Sequence, residues 1–152
     1  VSLQLGCVRL TEKFVTDASL PFMTNQAVAV ATYTRDVIRR SGFAFSLPPT
    51  AVAIGTGGTL TTVRTIAAVR LSQTLAQTSA GLPVADLCAL LDHLGTLPLA
   101  ERQKIPGLPA ARADVFPTAL ATMITVAELG GFTGFENSLY NLRWGLAAEA
   151  MD

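Results

Sequence analysis

The chain has 152 residues and a formal net charge of zero, and 14% of its residues are charged. A chain of this length forms one ordinary domain and can bury about 68–70% of the surface that it exposes when unfolded. The zero net charge gives no electrostatic attraction to nucleic acids or anionic membranes, so neither is an expected partner. The charged fraction lies well below the usual value of about 25%. Together with a mean hydropathy of +0.44, it predicts that part of the surface packs against another body.

Targeting and membrane segments are not predicted. No basic segment followed by an apolar core opens the chain, so we expect no signal peptide. The charge-free stretch that ends at Arg64 is interrupted by Pro48, Pro49 and a glycine cluster, so it should not span a membrane. We therefore expect a cytoplasmic protein. The first residue is Val1 rather than Met, which favours a processed piece or an excised domain.

The chain contains two cysteines, Cys7 and Cys88, and one histidine, His93. A structural zinc site needs about four ligands, so this small set does not predict one. The cysteines are interpreted as buried thiols in a reducing compartment, with a disulfide between them as the alternative. His93 is interpreted as a surface or helix-end residue rather than a catalytic base.

The chain before the glycine cluster predicts a strand, a helix and a second strand. Residues 1–14 alternate between apolar and polar residues with a change of phase near Gly6, which predicts a strand with an irregularity. Residues 23–40 carry apolar residues at helical spacing and end in two arginines followed by Ser-Gly, which predicts a helix. The apolar run 50–54 does not alternate, which predicts a short strand buried on both faces.

The rest of the chain predicts mainly helices. Pro117 removes one backbone hydrogen bond from the helix predicted over 109–129, so we expect a kink or a late start there. The other predicted elements are helices at 60–71, 83–97, 99–104 and 139–150, a polar loop at 73–81 and a strand at 132–137. The order β-α-β-α-α-α-β-α is typical of an α/β protein. No internal boundary is visible, which predicts a single domain over 1–152.

The segment 53–60 reads AIGTGGTL and places three glycines between a predicted strand and a predicted helix. The backbone N–H groups of such a turn, with the partial positive charge of the helix N-terminus, can bind a phosphate or another anion. The segment is not a Walker loop, because no Gly-Lys-Ser/Thr follows, and it lacks the Gly-x-Gly-x-x-Gly spacing. A simple tight turn and a ligand-binding loop are both compatible with it.

The charged residues offer no catalytic pair. None of the acidic residues has a typical catalytic spacing, and the His-Glu-x-x-His and Gly-x-Ser-x-Gly motifs are absent. Arg112 and Asp114 lie in the first turn of a predicted helix. An acidic side chain suits the positive end of a helix, whereas an arginine does not. Arg112 is therefore either an exposed or ion-paired charge, or a residue with a role beyond helix stability.

Four stretches, in order, resemble the Ppx/GppA family of exopolyphosphatases and guanosine pentaphosphate phosphohydrolases. They are LGCVRLTEKF at 5–14, AIGTGGTLTTV at 53–63, PGLPAARADVFPTAL at 106–120 and NSLYNLRWGL at 137–146. The third is close to the family pattern Pro-Gly-Leu-x-x-x-Arg-Ala-Asp. The fourth departs from the family pattern, with Trp144 where a glutamate is usual and Asn141 where a glycine is frequent.

The resemblance implies an RNase H-like (actin-like ATPase) fold, an α/β lobe with a mixed sheet flanked by helices. It further implies that residues 1–152 are the C-terminal lobe of a two-lobed protein, without the first strand of that lobe. The strand predicted for 1–14 would then be the second strand of the sheet. An N-terminal lobe with an Asp-x-Gly-Ser-Asn loop and a catalytic glutamate, and a second phosphate loop, would lie outside this chain.

The function implied by the resemblance is hydrolysis of terminal phosphoanhydride bonds in inorganic polyphosphate or pppGpp, with Mg²⁺ held largely by residues outside this chain. This lobe would supply the wall of the cleft that faces the phosphates or the nucleotide, formed by Gly55, Thr56, Gly57, Gly58, Thr59 and Arg112. The apolar composition predicts packing against the missing N-terminal lobe or in a homodimer. The chain alone is expected to be inactive and to self-associate. Two alternatives stay open, namely a non-catalytic module that senses (p)ppGpp or another nucleotide, and the lobe of a small-molecule kinase.

Overall fold

Seven α-helices and three short strands occur within residues 1–48 and 50–150, the part of the chain that this computed structural model describes. A single 3-10 turn at Ala110–Arg112 precedes the sixth helix. In chain order the elements are α1 (Cys7–Phe14), α2 (Thr24–Arg40), β1 (Ile54–Thr56), α3 (Gly58–Arg70), β2 (Gly81–Pro83), α4 (Val84–Gly95), α5 (Leu99–Arg102), α6 (Phe116–Gly130), β3 (Gly134–Ser138) and α7 (Leu142–Glu149).

The strands form one mixed sheet in the order β1-β3-β2. β1 runs parallel to β3, with Ile54 opposite Glu136 and Thr56 opposite Ser138, and β2 runs antiparallel to β3. The carboxyl ends of β1 and β3 therefore lie at the same edge of the sheet, which is where α/β proteins commonly bind ligands. The predicted α/β class, with a mixed sheet flanked by helices, is confirmed.

Helix α6 lies at the centre of the packing, against α1, α2 and α4. Its first seven residues are all buried. Phe116 and Leu120 belong to the main hydrophobic core, and Ala121 belongs to a second cluster with Leu10 and Val30. Pro117 lies in the first turn of α6, where a helix does not need the missing N–H. The expected late start of this helix is confirmed.

The strand predicted over 1–14 is wrong, because Cys7–Phe14 forms helix α1. Leu10 and Thr11 are buried, and Thr11 Oγ1 donates a hydrogen bond to Thr118 Oγ1 at 2.9 Å. The apolar and small residues of this segment fit helical spacing as well as alternation. Packing against α6 selects the helix.

The strand predicted over 50–54 is wrong in its bounds and in its burial. β1 begins only at Ile54, whose side chain is 68% exposed. β1 is an edge strand that pairs only with β3 among the described residues. A short apolar run has the same sequence pattern in an edge strand as in a central strand, so the sequence did not distinguish the two positions.

A further strand lies at the end of the segment predicted as a loop over 73–81. Residues Gly81–Pro83 form β2 against β3. The pairing extends past the strand at both ends, since Asn137 donates its backbone N–H to Ala80 and Val84 donates to Thr133. Three residues without a regular apolar pattern became a strand through long-range pairing.

The remaining element predictions are confirmed to within a few residues. The cysteines Cys7 and Cys88 are free and half-buried, so the disulfide alternative is wrong. His93 is exposed in the last turn of α4, as predicted. Among the helices of the described residues, none combines the length and the apolar character that crossing a membrane requires.

Candidate functional site

The glycine segment forms the turn between β1 and α3. Thr56 ends β1 at the carboxyl edge of the sheet, Gly57 precedes the helix, and Gly58 is its first residue. Gly57 has φ +96° and ψ −176°, a conformation that glycine adopts at far lower cost than any other residue. The local backbone therefore requires glycine at this position, whatever the turn binds.

The first N–H groups of α3 are available to a ligand. Thr61 donates its N–H back to Gly57 O at 3.3 Å, which closes the first turn. The preceding N–H groups, of Gly58, Thr59 and Leu60, have no acceptor among the described residues. Such groups at the start of a helix point outward and bind anions.

The role of Gly55 differs from that of its neighbours. A Cβ on Gly55 would overlap Cδ1 of the buried Leu60. Glycine is therefore needed here for close packing between β1 and α3. Thr59 is half-buried in the first turn of α3, and Thr56 is exposed.

Arg112 lies directly against the glycine turn. A Cβ on Gly58 would be 3.1 Å from Nη1 of Arg112, so a larger residue would push the guanidinium aside by a few tenths of an ångström. Nη2 of Arg112 donates to Sγ of Cys7 at 3.6 Å, and Nε of Arg112 is buried with no acceptor among the described residues. The guanidinium is thus held between the start of α3 and the start of α1.

No carboxylate neutralises Arg112 within the described part of the chain. The two ion pairs found there join Arg35 to Glu128 and Lys104 to Glu101. The first turns of α1 and α3 contain no acidic residue. An arginine and two helix N-termini, each with a partial positive charge, therefore lie together at one place. This arrangement can bind an anion, but it contains no general acid or base.

A comparison with protein families identifies the chain. The model of the Ppx/GppA phosphatase family matches residues 1–151. The chain belongs to the Ppx/GppA phosphatase family. No curated protein matches it as a sequence relative.

Solved structures of the Ppx/GppA family share its fold. The Ppx/GppA phosphatase of Aquifex aeolicus, type II variant, is 20% identical, with a TM-score of 0.84 over 100% of this chain and 49% of that one. An exopolyphosphatase of Cytophaga hutchinsonii is 24% identical, with a TM-score of 0.83 and the same coverages. At this identity the likeness shows the fold, which is the actin-like ATPase fold expected from the sequence. The chain spans about half the length of these structures.

Two residues of this Ppx/GppA chain were not predicted as part of the site. Cys7 was interpreted only as a buried thiol, although it lies in one of the four family-like stretches and contacts Arg112. Asn137 was assigned to a strand and to the fourth family-like stretch without a role in the site, but its Nδ2 donates to Gly55 O and Thr61 Oγ1, both at 3.3 Å. The position of Cys7 in that stretch was a weak signal. Asn137 had the same weak signal, because it begins the family-like stretch 137–146.

The residues described here do not form a magnesium site by themselves. Within residues 1–48 and 50–150, no three His, Cys, Asp or Glu side chains come together in a group that could hold a metal ion. The cluster around Arg112 presents a guanidinium and backbone N–H groups, which repel a cation. No catalytic step through a metal is therefore assigned to these residues.

Proposed function

We propose that this chain is the phosphate-binding lobe of a phosphohydrolase that cleaves terminal phosphoanhydride bonds of inorganic polyphosphate or pppGpp. The observation that carries the proposal is the guanidinium of Arg112, held between Gly58 and Cys7 with no counter-ion among residues 1–48 and 50–150. A phosphate on this site would accept hydrogen bonds from Arg112 and from the first N–H groups of α3. Membership of the Ppx/GppA family supports phosphate as the anion.

The proposed part of this lobe in the reaction is to bind and orient. Gly55 and Gly57 shape the turn, Gly58 leaves room for the guanidinium, and the N–H groups of Gly58 and Thr59 face the phosphate oxygens. Positioning and charge neutralisation contribute most of the catalysis in phosphoryl transfer. The groups that activate water, and the ligands of Mg²⁺, are assigned by the proposal to residues outside this chain. When bound, Mg²⁺ would neutralise charge on the phosphates.

The proposed partners are an N-terminal lobe, which lies outside this chain, and a second copy of the protein in a homodimer. The proposed location is the cytoplasm. Exposed apolar side chains support a covered surface, because solitary soluble domains rarely expose many of them together. Ile54, Tyr140 and Trp144 are each more than half exposed and line one open cavity of about 560 Å³.

Phosphate release from polyphosphate and from pppGpp, by the full-length protein with Mg²⁺, tests the proposal. Replacement Arg112→Ala is expected to lower kcat/KM by roughly tenfold to a hundredfold, since it removes charge-assisted hydrogen bonds. Arg70→Ala is the matched control, because Arg70 is exposed in the last turn of α3. If phosphate is released from neither substrate, the proposed phosphohydrolase function is contradicted. Binding of (p)ppGpp without turnover would support the sensing module instead.

A further inference from the structure

We propose that Asn137 is a positioning residue that holds the glycine turn in its phosphate-binding shape, an inference that rests on the proposed function. Asn137 lies on β3 opposite Gly55 of β1 and is 4% exposed. Its Nδ2 donates to Gly55 O and to Thr61 Oγ1, both at 3.3 Å. One side chain therefore connects the middle of β1 with the first turn of α3, on either side of Gly57.

The other end of the Asn137 amide has no partner. Its Oδ1 is buried and accepts no hydrogen bond from the described residues. A buried acceptor without a donor destabilises a folded protein, whereas an apolar side chain of the same shape would not. Stability alone therefore does not account for an amide at this position, while the two hydrogen bonds from Nδ2 to the glycine turn do.

The turn needs such a restraint. Gly57 has φ +96°, and glycine has more backbone conformations available than any other residue. In the proposed function the N–H groups of Gly58 and Thr59 bind one phosphate together, which requires one particular shape of the turn. Holding that shape before the ligand arrives reduces the entropy lost on binding. Asn137 is therefore expected to change the affinity for phosphate without touching it.

Replacement Asn137→Leu in the full-length protein tests this role, because leucine has a similar shape and no polar atoms. We expect a melting temperature that is unchanged or higher. The affinity for inorganic tripolyphosphate, measured by calorimetry, should fall by roughly threefold to tenfold, because two hydrogen bonds that hold the turn are lost. Thr61→Val, which removes one of the two acceptors, should give a smaller loss in the same direction.

The matched control is Thr34→Val, on α2. Thr34 is fully buried and its Oγ1 also has no partner in the described part of the chain, so we expect a higher melting temperature and an unchanged affinity. An Asn137→Leu protein that melts lower and binds as before would overturn the inference, since Asn137 would then be structural. Equal loss of affinity in Thr34→Val would overturn it too. If the unsubstituted protein does not bind tripolyphosphate, both the proposed function and this inference are contradicted. If it binds and the affinity is the same in Asn137→Leu, only the inference is contradicted.

Discussion

The Nη1 atom of Arg112 lies 3.1 Å from the place that a Cβ would occupy on Gly58. The two residues belong to different elements, since Gly58 begins α3 and Arg112 ends a 3-10 turn ahead of α6. A methyl group on Gly58 would move the guanidinium by a few tenths of an ångström. The position of the Arg112 guanidinium therefore depends on the size of the residue at position 58.

Replacement Gly58→Ala should separate binding from stability. Alanine favours a helix over glycine by up to about 1 kcal/mol, so the melting temperature should be unchanged or slightly raised. The displaced guanidinium should weaken tripolyphosphate binding by roughly threefold to tenfold. Gly145→Ala is the control, because Gly145 is also helical and a Cβ there meets nothing. Affinity unchanged in Gly58→Ala would count against Arg112 as a phosphate ligand.

Arg102 should be one of the most important side chains for stability. It is 1% exposed, and its Nη2 donates to Ala18 O at 2.6 Å and to Leu20 O at 3.1 Å. Burial lowers the pKa of its guanidinium, and the nearby Asp114 opposes this shift. Arg102→Ala leaves two carbonyl groups without their donor and opens a cavity, so we expect a loss of about 3 kcal/mol in the free energy of unfolding.

Urea denaturation measures this loss. Arg70→Ala, at an exposed position, should change the free energy of unfolding by less than about 0.5 kcal/mol. A loss for Arg102→Ala as small as that of the control would mean that the segment around Ala18 does not depend on this arginine.

Asp17 should make the stability depend on pH. The hydroxyl and then the backbone N–H of Ser19 donate to Asp17 Oδ1, at 2.6 and 2.9 Å, and lower the pKa of this carboxyl below its usual 3.8. Stability from a carboxylate with a lowered pKa is present above the unfolded pKa and is lost as the pH falls through the folded one. Asp17→Asn should therefore lower the melting temperature near neutral pH and leave it unchanged well below that pKa. A difference that stays constant over this range would argue against an ionic origin.

The exposed apolar surface around Trp144 should cause self-association of the 152 residues expressed by themselves. Ile54 and Tyr140 line the same open cavity. Sedimentation should show oligomers, and Trp144→Glu should shift them towards monomer, because a charge opposes burial of this surface. Val28→Glu, at an exposed apolar position on α2, is the control and should leave the oligomers unchanged. A stable monomer before any substitution would contradict the prediction.

Most of the helices could be predicted because each carries its own apolar periodicity. The segments that became α2, α3 and α4 bury one face, and their bounds followed from local signals such as the glycine after α2. The strands were harder to predict from the sequence. β1 and β2 have three residues each, and so few residues do not distinguish a strand from a turn. Pairing with β3 decided both.

The candidate site was predicted in part. The glycine turn and Arg112 were proposed from the sequence, and the structure brings Arg112 against Gly58. Cys7 and Asn137 were not proposed, because a half-buried thiol and a strand amide acquire a role only through contacts far along the chain. Cys7 and Arg112 are separated by 105 positions, and Asn137 and Gly55 by 82.

The sequence by itself determined the α/β class, the amphipathic helices and the strand-turn-helix shape around AIGTGGTL. These features depend on periodicity and on the backbone freedom of glycine, which are local properties. Only the tertiary structure decided that Cys7–Phe14 is a helix, that β1 lies at an edge, and that Arg112 lies between two helix N-termini. Short apolar segments fit both a strand and a helix, so packing against α6 selected one. A charge acquires neighbours from distant elements only when the chain folds.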